Sequence, residues 1–147
     1  MKILIIEDDH LQSKLLIKQL NHEFKDCTIE LLETESDFIK KFPMIEKNPP
    51  DLILIDIMLR FQNPSRDMIK VIPSDRKGFY RAGIRCKQDL NQSEQTKSIP
   101  IILYTVLNKA DLEIDLLNLN NQFQHISKDK DTSILFRQIK KMLKLKS

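Results

Sequence analysis

Glycine is nearly missing from this chain, with two in 147 residues. That scarcity excludes the glycine-rich loops that cradle nucleotide phosphates, which need several glycines within a few positions. Cysteine is equally rare. Cys27 and Cys86 stand far apart and lack the close spacing with histidine of a zinc or redox motif, so both are expected to be reduced and structural. No apolar run approaches the roughly 20 residues of a membrane span. The N-terminus turns acidic after a short apolar run, without the apolar region or cleavage site of a secretory leader. A cytoplasmic protein without membrane insertion is expected. A dominant charge is missing too. The net charge is +3, from 24 basic and 21 acidic residues, too weak a bias to imply a nucleic acid or a membrane partner. Ser13, His10 and Asp9 crowd too closely in sequence to serve as a hydrolase triad.

What is present fits one domain across 1–147. The length is ordinary for a domain, and 41% apolar content can supply a core. Strand-like and helix-like segments alternate from end to end, without internal repeats. Strands are expected at Lys2–Ile6, Thr28–Leu32, Leu52–Ile57, Ile101–Tyr104 and Phe123–Ser127. Between the first two, Leu11, Leu15, Leu20 and Phe24 fall at helical spacings, and Asp9 is placed to cap that helix. Further helices are expected at Ser36–Ile45, where Pro43 should kink or cut the helix, and at Phe79–Leu90, Lys109–Leu117 and Thr132–Leu145. Such alternation means right-handed crossovers, hence a parallel α/β sheet between two helix layers.

The strands raise a question. "LILIDIML", from Leu52, reads as a buried strand yet contains Asp56, and "KILIIEDD" runs from apolar residues into Glu7, Asp8 and Asp9. An unpaired buried carboxylate costs several kcal/mol. Open parallel sheets hold ligands outside the carboxyl ends of their strands, and that edge would gather Glu7, Asp8, Asp56, Thr105 and Lys128. A divalent cation among the acids resolves the puzzle. Three oxygen donors with water suit Mg²⁺, which favours a few carboxylates and a phosphate. An oxygen of Asp56 beside the metal can act as a nucleophile toward phosphorus, while Lys128 and Thr105 contact the other phosphoryl oxygens. Asp9 is assigned to the helix cap and Asp8 to the metal.

Taken together, "IIEDD", "LILIDIML", "ILYTV" and "ISKD" resemble the response-regulator receiver domains of two-component signalling, over nearly the whole chain. The resemblance implies a flavodoxin-like five-stranded sheet of order 2-1-3-4-5, with Asp56 as phosphoacceptor. It also implies Mg²⁺ held by Glu7, Asp8, Asp56 and the Met58 backbone carbonyl, with Thr105 and Lys128 on the phosphoryl group. The phosphoryl donor would be a histidine kinase or phosphotransfer protein, and output would pass through an unknown protein partner; the domain would not be an enzyme.

Several positions depart from the family pattern. Asp129 stands where a cis proline usually follows the lysine, so a trans peptide is expected there. Arg60 replaces a frequent proline, Val106 a small residue, and His125 occupies the place where a switch Tyr or Phe is common. "RFQNPSRDMIKVIPSDRK", Arg60 to Lys77, reads as a long inserted loop beside the acids, expected to cover the site and select partners. It postpones the glycine that normally opens helix three, to Gly78. These departures keep open a non-phosphorylated pseudo-receiver acting as a protein-binding module. A Mg²⁺-dependent phosphohydrolase is a weaker alternative, since it would need an acid/base after Asp56, and Met58 is not one. The basic last helix, with Leu135, Ile139, Met142 and Leu143 on one face, is read as docked with a solvated basic side. Direct DNA binding is not expected, because no positioned recognition element is present.

Overall fold

A computed structural model describes residues 1–63, 74, 78, 81–108, 110 and 123–145. In chain order these form β1 (Lys2–Ile6), α1 (His10–Glu23), β2 (Thr28–Leu32), α2 (Glu35–Lys47), β3 (Leu52–Ile55), α3 (Ala82–Gln92), β4 (Ile101–Thr105), β5 (Phe123–Ser127) and α4 (Thr132–Met142). The strands make one sheet of order β2-β1-β3-β4-β5, parallel throughout. The three-layer α/β architecture and the strand order are those expected. The helix anticipated at Lys109–Leu117 and the loop beyond Asn63 lie outside the described residues, isolated positions apart.

Side chains alternate across the sheet, and this sorts the core into two halves. Leu4, Ile6, Ile53, Ile55, Ile101 and Leu103 face one way, packing with Phe38 and Ile45 of α2 and with Ile84 and Leu90 of α3. Ile3, Ile5, Leu52, Leu54 and Ile102 face the other, against Leu16 and Leu20 of α1 and Leu135 and Ile139 of α4. Each fully buried aliphatic side chain of this kind contributes about 1.5–3 kcal/mol.

Local chemistry sets the element ends. Asp9 caps α1 by accepting from the Gln12 amide at 3.0 Å. The stripe of α1 that meets the sheet is Ser13, Leu16, Leu20 and Phe24, not the expected Leu11 and Leu15, which are 80% and 57% exposed. Leu11 and Leu15 lie four apart, but Leu20 is five residues beyond Leu15, about 140° round the helix, so the pair falls outside the 13-16-20-24 series. The α2 helix continues through Pro43, because Thr34 caps its start and Phe38 and Ile45 are buried on either side of the proline. β3 stops at Ile55, two residues earlier than expected, and leaves Asp56 just past the strand. α3 begins at Ala82, after the expected Phe79. α4 ends at Met142 and not at Leu145, because Lys144 turns left-handed at φ 55° and the Leu145 amide folds back onto the Lys140 carbonyl at 2.8 Å. Among the described residues, no helix is long and apolar enough to cross a membrane. Cys27 and Cys86 are both free thiols.

Candidate functional site

Register brings the expected site residues together. Ile6 lies beside Ile55, and the ladder runs one residue further: the Asp56 amide donates to the Ile6 carbonyl at 2.9 Å, and the Glu7 amide to Leu32 at 3.0 Å. Glu7 and Asp56 are therefore neighbours as they leave the sheet. On the other side, Thr105 pairs with Ser127, and the Lys128 amide donates to the Thr105 carbonyl at 2.9 Å. Lys128 is thereby aimed back over the acids.

Lys128 Nζ donates to Glu7 Oε2 at 2.6 Å, Asp56 Oδ2 at 2.9 Å and Gln12 Oε1 at 2.8 Å. Among the described residues, Asp56 Oδ1 accepts only a long bond, 3.3 Å from the Met58 amide. Ligand oxygens of Glu7, Asp8 and Asp56 all lie within 4.8 Å of one another. Burial, then the adjacent Asp56 carboxylate, push Glu7 up to about 7 against the pull of Lys128. Burial draws the Lys128 ammonium down, but the charges of Asp56 and Glu7 outweigh it and leave it above the ordinary lysine value. One lysine thus serves two crowded carboxylates, with the third, Asp8, close by, and the like-charge strain on Glu7 is what a divalent cation would relieve. All three donors are hard oxygens, the chemistry that Mg²⁺ takes.

These groups open into a cleft of about 590 Å³ that Met58, Arg60, Phe61 and Val106 also line. Val106, where the family pattern has a small residue, is 48% exposed there. Thr105 is adjacent but fully buried, and its Oγ1 accepts from the Leu107 amide at 3.4 Å. His125 is half-buried and its Nε2 donates to the Leu107 carbonyl at 2.9 Å, which ties β5 to the turn after Thr105. Among the described residues no peptide bond is cis, so Lys128–Asp129 is trans as expected.

Three partners were not legible in the sequence. Gln12 sits three residues after the Asp9 cap, where a glutamine reads as part of a capping box, and nothing links it to Lys128, 116 positions away. The Arg60 amide donates to Asp8 Oδ2 at 3.0 Å, while its carbonyl accepts from the Glu35 amide at 3.0 Å. Glu35 is fully buried and meets the Arg85 guanidinium through two bonds of 2.7 and 2.8 Å. With Phe61 buried and its carbonyl taken by the Ser36 amide at 2.7 Å, the long loop starts firmly docked on the α2 N-terminus.

No protein-family model matches the sequence, and no curated protein does. Solved structures match it over nearly its full length. A signal receiver domain of a two-component histidine kinase from Clostridium thermocellum aligns with a TM-score of 0.71 at 16% identity, covering 98% of each chain. The fold is that of the receiver domains. A receiver domain of a sensor histidine kinase from Pseudomonas aeruginosa, with a magnesium ion coordinated in its active-site cleft, gives 0.68 at 17% identity and 97% of each chain. A response regulator from Desulfuromonas acetoxidans gives 0.65 at 22% identity, covering 97% of this chain and 96% of that one. Within the receiver fold, the acidic cleft lies at the carboxyl ends of β1 and β3, where the strand order reverses.

Proposed function

We propose that this chain is a single receiver unit across 1–147, with an insertion at about 60–77, in which Asp56 accepts a phosphoryl group. The donor is a histidine kinase or phosphotransfer protein, and the signal passes on through protein contacts in the cytoplasm. The observation that carries the reading is Lys128 Nζ at 2.9 Å from Asp56 Oδ2, with the Glu7 and Asp8 carboxylates in the same cleft. Asp56 Oδ1, the less engaged oxygen, attacks phosphorus in line. As the Oδ1–P bond forms, the bond from phosphorus to the donor's leaving atom breaks, and that atom keeps the electron pair. Lys128 then turns from Asp56 Oδ2 to an oxygen of the new acyl phosphate. Thr105 reaches another only if the turn at Val106 and Leu107 shifts, and His125 is the residue that feels this shift. A magnesium ion held by Glu7, Asp8, Asp56 and the Met58 carbonyl would neutralise the phosphoryl charge.

The test is incubation with acetyl phosphate and Mg²⁺, followed by intact mass measurement. A phosphoryl-sized gain is expected, and Asp56→Asn should abolish it. If the variant gains the same mass, Asp56 is not the acceptor. A second reading has one observation in its favour: the three protons of the Lys128 ammonium meet three acceptors, Glu7, Gln12 and Asp56, so the site is tied up without an added ion. A folded wild-type chain that gains no mass supports that pseudo-receiver, a protein-binding module.

A further inference from the structure

The C-terminal halves of α2 and α3 frame a groove of about 580 Å³. Those helix ends lead back to the starts of β3 and β4, so the groove lies at the sheet edge opposite Asp56. Its floor is apolar. Phe38 and Phe42 meet edge to face at 5.6 Å, beside Ile39 and Pro43, and Ile39 is 37% exposed. Its rim carries Glu46, Asp89 and Glu94, and no described Lys or Arg lines it. That is unexpected in a chain whose basic residues outnumber its acidic ones by 24 to 21.

Glu94 and Glu46 are only lightly engaged. Glu94 meets Lys97 at 2.6 Å, but both side chains are largely exposed, and such pairs contribute little and exchange easily. Glu46 accepts the Ser93 hydroxyl at 2.7 Å, which ties the two walls together and leaves the charge uncancelled.

We propose that this groove docks a basic amphipathic segment of a partner protein. An aliphatic or aromatic anchor sits on Ile39, Phe42 and Pro43, with Phe38 fully buried beneath them, and flanking Lys or Arg side chains reach Glu46 and Glu94. The apolar floor gives the anchor its contact, and the acidic groups of the rim select the sign of charge and steer the approach. Nucleic acids and anionic lipids are repelled. The basic α4 of a second copy is a poor anchor, since Leu135 and Ile139 are fully buried and Ile134 is 40% exposed; α1, with Leu11 at 80% and Leu15 at 57%, is the competing occupant that the self-association measurement decides. The inference is independent of metal binding and phosphorylation, since no groove residue belongs to the acidic cleft.

The experiment uses the isotope-labelled full chain and three synthetic peptides, a Leu/Lys amphipathic helix and its Leu/Glu and Ser/Lys counterparts. The Leu/Lys peptide alone should bind, shifting the amide resonances of Ile39, Glu46, Asp89 and Gln92. Glu46→Gln combined with Glu94→Gln, and separately Ile39→Ser, should each weaken it about tenfold, while circular dichroism and Mg²⁺ titration stay unchanged. Equal binding of the Leu/Glu or Ser/Lys peptide overturns the proposal, as do unaffected variants or shifts that map to Glu7, Asp8 and Asp56. Concentration-dependent self-association abolished by the Glu46/Glu94 variant would make a second copy the occupant and overturn the partner assignment.

Discussion

Gly83 and Asp56 touch through their backbones. A Cβ built on Gly83 would fall 2.1 Å from the Asp56 carbonyl oxygen and 2.6 Å from Ile57 Cα. The Gly83 amide donates to the Ile57 carbonyl at 2.9 Å. The first turn of α3 is seated directly on the chain as it leaves β3, and this contact fixes the height of Asp56 above the sheet.

Gly83→Ala should therefore be costly despite the helix propensity of alanine. Overpacking against backbone costs about 1–3 kcal/mol or more, because neither the strand end nor the helix can yield as a side chain would. Urea unfolding should show a lowered midpoint, and Mg²⁺ affinity should fall with it as Asp56 is displaced. An unchanged midpoint would mean that α3 is free to lift away.

Asp8 and Asp9 should separate cleanly under mutation. Asp9→Ala removes the cap that accepts from the Gln12 amide and should cost about 1 kcal/mol of stability, with Mg²⁺ binding nearly intact. Asp8→Ala should leave stability within about 0.5 kcal/mol and weaken Mg²⁺ strongly. Denaturation midpoints and Mg²⁺ titrations on both variants check this, and equal metal losses would mean that the two roles are wrongly divided.

Replacing Lys128 with alanine strips the cation from Glu7 and Asp56, whose side chains are only 5% and 8% exposed. Removing one partner of a buried pair costs about 3–5 kcal/mol. Saturating Mg²⁺ should restore much of this loss by supplying the missing charge, a recovery readable in thermal melts with and without the ion.

Lys87 offers a pH test away from the cleft. Its side chain is fully buried, with the ammonium on Asn91 Oδ1 at 2.6 Å, and burial lowers its pKa from 10.5 to about 8. Between those values the unfolded chain holds a proton that the folded chain has released, so this lysine's contribution to stability rises with pH from about 8 toward 10.5. Lys87→Met should be more stable than the wild type at pH near 7, and the difference should shrink as pH climbs through that window. Paired urea midpoints across the range measure it; a constant difference would refute the assignment.

The sheet was legible in the sequence because apolar runs bounded by acids, prolines and turn residues are a strong signal, and all five strands stand where expected to within two residues. Glu7, Asp8, Asp56 and Lys128 were legible for the same reason, as polar residues at the ends of buried strands. Helix faces were less so. Leu11 and Leu15 share a face with each other but not with Leu20, five residues past Leu15, and the true stripe runs through Ser13, Leu16 and Leu20. Partners made by main-chain groups, such as the Arg60 amide on Asp8, leave no trace in residue type at all.

That last contact bears on how the insertion can vary. Its first residues are held by the Arg60 and Phe61 carbonyls on the α2 N-terminus and by the Arg60 amide on Asp8, bonds that nearly any amino acid except proline at position 60 could make. The main-chain part of the attachment is thus indifferent to most changes of side chain, and the buried Phe61 is the side chain it needs. Residue 63 marks a natural grafting point, after which foreign loops could be exchanged as cassettes while the acids behind them keep their places.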